Sequence, residues 1–92
     1  MNTSMTVENI ETKRKRLIFR SGHRGTKEMD LFLGSFAERN IAGFSAEELD
    51  LYDDLLKEPD PDIYNWVTGR EPVPANKMNP VIERLLQHQF AA

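Results

Sequence analysis

The stretch "MDLFLGSFAERN", residues 29–40, decides the fold. Met29, Phe32, Leu33, Phe36 and Ala37 recur at spacings of three and four, which puts them on one face of an α-helix. Downstream, Asn40 and Gly43 end that helix, and Ser45 with Glu48 three residues on forms a capping box for the next. Leu49, Tyr52, Leu55 and Leu56 are its buried stripe, with Glu47, Asp50, Asp53 and Asp54 facing water. Asp60 reads as the cap of a fourth helix, with Pro61 at the first helical position and Asp62 favouring its positive end. Ile63, Trp66 and Val67 share one side, and Gly69 closes it. After the loop "REPVPANKM" (70–78), Asn79 and Pro80 start a last helix striped by Val81, Ile82, Leu85 and Leu86. Upstream, Gly22 and Gly25 break the chain after a helix from Ile10 to Arg20 that carries Leu17, Ile18 and Phe19. Nothing alternates like a strand. The expectation is an all-α single domain, a compact bundle of four to five short helices over residues 10–90, behind a disordered tail of residues 1–9.

Ninety-two residues suit one domain, and a chain of this size buries about 60–65% of its unfolded surface. With no cysteine there is no disulfide, thiolate nucleophile or cysteine-held metal. No apolar run approaches the about 18 residues of a membrane span, so no membrane insertion is expected. The first ten residues lack the pattern of a secretory signal or an organelle transit peptide, which points to a bacterial cytoplasm and fits a mature mitochondrial matrix protein less well. The net charge of −3 is unevenly spread. Residues 1–28 hold seven basic groups against three glutamates, and residues 29–92 hold five against twelve acids. A basic end on an acidic body can orient the molecule against a charged partner.

Catalytic and metal chemistry find no foothold. His23 and His88 are far apart and in no ligand spacing, no Ser sits in a nucleophile elbow, and "SGHRGTKE" (21–28) lacks the phosphate-loop spacing. An enzyme is not expected, and no metal. "KRKR" at 13–16 supports an alternative, a small helical nucleic-acid-binding or regulatory adaptor using the basic first helix. Glu28, Asp30 and Glu38 on the second helix and a pI near 5.3 speak against nucleic acid.

The junction "HRGTKEMD" (23–30) stays open on physical grounds between a plain turn and a contact patch. If a helix begins near Thr26, Glu28 lies in its first turn, where the dipole favours a carboxylate. That does not account for the cation of Arg24 before a glycine, with Arg20 and His23 crowded beside it.

Arg24-Gly25-Thr26-Lys27-Glu28 fits an R-G-x-x-E signature. With Met29-Asp30-Leu31, the acidic helix after Ser45 and "DPDIYNWVTG" (60–69), the chain resembles the small succinate dehydrogenase assembly factors over about residues 10–74. The resemblance implies a five-helix bundle that binds the flavoprotein subunit of succinate dehydrogenase, with fumarate reductase as a further client, and promotes covalent attachment of FAD. FAD is then the partner's cofactor and is not stably bound by this chain, which supplies no catalytic group and is a monomer when free. The motif residues Arg24, Gly25 and Glu28 become the partner-binding set, joined by Asp30, Arg20 and His23 from the junction and by Asn65 and Trp66 from the second block. Trp66 reads either as core or as interface.

Overall fold

The computed structural model describes residues 8–88. Five α-helices follow one another: α1 (Ile10–Ser21), α2 (Lys27–Asn40), α3 (Ala46–Leu55), α4 (Asp60–Val67) and α5 (Pro80–Gln87). Single 3-10 turns, Ile41–Gly43 and Ala75–Lys77, lead into α3 and α5. Among the described residues there is no strand. The all-α bundle of five short helices is therefore as the sequence predicts.

Side-chain caps set most helix starts by satisfying amide groups that have no partner within the helix. Thr26 Oγ1 accepts from the Met29 amide at 3.3 Å. Ser45 Oγ accepts from the Glu48 amide while Glu48 accepts from the Ser45 amide at 2.8 Å, the reciprocal box read from the sequence. Asn79 Oδ1 takes the amides of Val81 and Ile82, both at 2.9 Å. Asn9, placed in the N-terminal tail by the sequence reading, caps α1 by accepting from the Glu11 amide at 2.8 Å. Glu8 of that tail pairs with Arg16, and residues 1–7 and 89–92 lie outside the described residues. The expected cap on α4 is a correction. Pro59 occupies the cap position and has no side-chain acceptor to offer, while Asp60 is the first helical residue and its carboxylate accepts from Arg24.

α2 packs along α1, α1 against α3, and α5 against both α3 and α4. The apolar stripes meet in one core, in which Leu17, Leu33, Phe36, Ile41, Leu49, Tyr52 and Ile63 have no solvent exposure. The rings of Phe36, Phe44 and Tyr52 gather within 5.6 to 6.2 Å of one another. Ser21 is the one buried polar residue among those described. Its hydroxyl donates to the Leu17 carbonyl at 2.7 Å and meets the Tyr52 hydroxyl at 2.5 Å, so the polar pair costs little despite its burial. Burial pushes the Tyr52 phenol up to about 12.

The basic run of α1 does not face solvent as a block. Lys13 pairs with Asp50. Arg14 donates to the carbonyls of Ile41 and Phe44 at 3.4 and 2.9 Å. Arg16 forms a bidentate pair with Glu8 at 2.8 Å and reaches Asp53 at 3.0 Å. Asp53, expected on a wet face, is half-buried by this pairing. The acidic face of α3 and the carbonyls that precede it thus engage three of the four cations of "KRKR".

The Arg16 hydrogen bond holds the Asp53 carboxyl below its ordinary value of 3.8. The folded state then binds its proton more weakly than the unfolded chain, so the stabilisation is complete above about pH 4 and is lost as pH falls through the folded value. Asp53→Asn should flatten the acid limb of the stability curve, measured by urea unfolding between about pH 5 and pH 2. An unchanged acid limb would show that the Arg16–Asp53 pair contributes nothing to stability.

Candidate functional site

The junction between α1 and α2 is built from three local devices. Gly22 ends α1 by donating to the carbonyls of Ile18 and Phe19 at 3.3 and 3.2 Å. His23 Nδ1 lies 2.6 Å from the Phe19 carbonyl, and its ring stacks on Phe19 with centroids 3.9 Å apart. His23 is therefore a capping histidine at the end of α1. From the first turn of α2, Asp30 then reaches back, and its Oδ1 accepts from the amides of Arg24 and Gly25. Gly25 takes φ +120°, a conformation that glycine adopts freely and other residues only with strain.

That backbone path turns Arg24 inward. Its Nε donates to Asp60 at 2.8 Å, one terminal nitrogen to the Leu56 carbonyl at 2.6 Å, and the other to the Glu58 carbonyl at 2.9 Å. The side chain is only 10% exposed. Both carbonyls lie just beyond α3, where the helical ladder has run out and acceptors lack partners. The guanidinium also sits between the negative end of α3 and the acidic first turn of α4. Arg24 is thus a staple that fastens the junction to the α3–α4 connection.

The other candidates divide. A Cβ added at Gly25 would meet no atom within 4 Å beyond its chain neighbours, so the space above it is open. Glu28 is exposed, and its carboxylate has no partner among the described residues. It borders a groove between α2 and α4 that is lined by Met29, Leu31, Phe32, Tyr64, Val67 and Thr68. Arg20 is exposed without a partner among the described residues. His23 belongs to a separate depression with Lys15, Ile18, Phe19, Gly34 and Glu38, so the structure does not bring it onto the groove beside Glu28. Asn65 is half-buried and uses its backbone carbonyl to receive the Glu71 amide at 3.1 Å. Trp66 is 7% exposed under the ammonium of Lys77, which places it in the core rather than at a contact surface. The sequence reading missed Asp30 as the turn's anchor and Leu31 and Tyr64 as groove walls. Leu31 gave a signal, since it is a large apolar residue that falls outside the α2 stripe.

The small helical scaffold thus staples its junction from within while a glycine and a carboxylate stand exposed on it. No group of three or more His, Asp or Glu among the described residues could hold a metal ion. No helix among them is long and apolar enough to cross a membrane. The chain belongs to the family described as the flavinator of succinate dehydrogenase, whose model matches residues 15–89. It is 51% identical over 85 residues to the mitochondrial succinate dehydrogenase assembly factor 2 of Debaryomyces hansenii, covering 89% of this chain and 60% of that protein. It is 40% identical over 85 residues to the FAD assembly factor SdhE of Acetobacter pasteurianus, covering 92% of this chain and 78% of the relative. The mitochondrial assembly factor 2 of Dictyostelium discoideum is 43% identical over 82 residues, covering 89% of this chain and 57% of its own length. The chain therefore spans about three fifths of the length of these two mitochondrial relatives. These mitochondrial relatives overturn the expected bacterial cytoplasmic location, since the domain occurs in mitochondrial and bacterial proteins alike.

Removing the Arg24 guanidinium would leave Asp60 and two carbonyls without donors at a largely buried point. Arg24→Ala should lower unfolding free energy by about 3 kcal/mol. Arg24→Lys should recover only part of it, because a point ammonium cannot span three divergent acceptors. Urea denaturation of the three proteins checks this, and equal midpoints would show that the staple is not stabilising.

Proposed function

We propose that this chain binds the flavoprotein subunit of succinate dehydrogenase and promotes covalent attachment of FAD to it, with fumarate reductase as a further client. The observation that carries the reading is the motif's geometry in a member of the flavinator family: Arg24 is held inside, while Gly25 and Glu28 are presented outside over a rigid junction. On this reading the chain is not an enzyme. FAD is the substrate of a reaction carried out within the partner, and this chain need not hold it.

A factor of this kind acts by binding the attachment-competent arrangement of its client more tightly than the others. A roughly tenfold population shift requires about 1.4 kcal/mol of differential affinity. One charge-assisted hydrogen bond from a client cation or amide to the unpaired Glu28 carboxylate is enough. Gly25 contributes close approach. A side chain there projects into open space, where it would obstruct the partner, and the φ of +120° adds backbone strain within this chain. The adaptor alternative draws less support from the first helix, where Lys13, Arg14 and Arg16 are paired internally.

The test is in-gel flavin fluorescence of the flavoprotein subunit after denaturing electrophoresis, in a host lacking its own factor. Co-expressed wild-type chain should raise covalent flavin, and Glu28→Ala should return it towards the level without the factor. Gly25→Arg should lose the effect too, keeping a cooperative thermal transition lowered only by backbone strain, about 1–3 kcal/mol. Equal fluorescence in all lanes would sink the flavinylation reading. A Gly25→Arg chain that does not fold would make the glycine's role structural.

A further inference from the structure

Leu31 has no structural reason to be apolar. It lies outside the buried stripe of α2 and is 45% exposed, yet it stands on the wall of the groove between α2 and α4. Opposite it are Tyr64 and Val67, both partly buried against the core. The cavity they enclose with Phe32 is about 320 Å³. It continues past Tyr64 into a second hollow of about 240 Å³ that opens between Thr26 and Pro61, where α2 and α4 both begin. Glu28 borders both halves.

We propose that this groove is a second contact for the same flavoprotein subunit, and that it takes a surface segment presenting one apolar side chain with an Arg or Lys next to it. The inference rests on the preceding reading that the Gly25–Glu28 edge meets that subunit. Continuity supports it: Thr26 and Glu28 belong to the motif and to the groove wall at once. Charge fixes the occupant's chemistry. The Glu28 carboxylate stands unpaired at the rim of an apolar wall, where a cation gains more than it would in bulk water. The chain's own neighbouring cations do not answer it. Arg24 is turned to Asp60, and Arg70 lies over the Tyr64 ring at 5.6 Å. An apolar side chain removed from water against Leu31, Phe32 and Tyr64 would supply affinity, and the adjacent cation would set register.

The test measures affinity for the purified flavoprotein subunit, using wild-type chain, Leu31→Arg, Leu31→Ser and, as a control on α5, Leu86→Arg. Photo-crosslinking with benzoylphenylalanine in place of Leu31 accompanies it. Leu31→Arg should weaken binding at least roughly tenfold and Leu31→Ser by less, with thermal midpoints unchanged, while Leu86→Arg binds as wild type does. The crosslinked peptide should carry Arg or Lys beside an apolar residue. If wild type binds and Leu31→Arg binds equally well, the groove is not a contact, and the Gly25–Glu28 reading still stands. An acidic crosslinked segment, no adduct, or Leu31 variants that lose binding only by melting would also overturn the inference. If wild type does not bind the subunit at all, the functional reading itself fails.

Discussion

The rest of this structure depends on the Arg24 guanidinium and the three oxygens it gathers. The connection from α3 to α4 is short, so the last carbonyls of α3 and the first acid of α4 converge on one point. Left alone, that point would be a cluster of acceptors at a largely buried position, which is unfavourable without donors. A planar, permanently charged fork with divergent N–H groups is the side chain that can answer all of them together. Holding it there requires the preceding turn to take one path, and Asp30 and Gly25 set that path. The staple joins elements distant in sequence and fixes where α2 begins relative to α4.

This arrangement separates the roles within one short motif. Arg24 and Asp30 work inward, on the scaffold. Gly25 and Glu28 work outward, one by leaving space and the other by leaving a charge unanswered. A binding surface held by such a scaffold loses little conformational entropy when a partner docks. On the proposed reading, loss of the arginine and loss of the glutamate look alike in a functional assay while differing in physical cause.

Most of the fold could be read from local chemistry. The stripe of Met29, Phe32, Leu33, Phe36 and Ala37, the box at Ser45 and Glu48, and the start at Asn79 and Pro80 are all encoded within one or two helical turns, and each appears where expected. The staple was not legible, because two of its three acceptors are backbone carbonyls, which leave no mark in a sequence. The same blindness made Asp60 look like a cap when its carboxylate is taken by a residue from a different part of the chain. "KRKR" misled in a related way. Four adjacent cations read as a patch until the acidic face of α3, distant in sequence, is brought against them. Glu28 and Gly25 were singled out through the motif, but the groove beside them needs residues of α4 brought alongside the start of α2, which no local pattern specifies.

Arg24 serves the scaffold through Asp60 and the end of α3. The decisive measurement is a double-mutant cycle by urea unfolding of wild type, Arg24→Ala, Asp60→Ala and the double variant. A coupling energy of about 1–3 kcal/mol is expected, with Arg24→Ala the costlier single change because it also abandons the Leu56 and Glu58 carbonyls. Strictly additive effects, or an Arg24→Ala chain as stable as wild type, would contradict it and return Arg24 to the surface as a residue held for a partner.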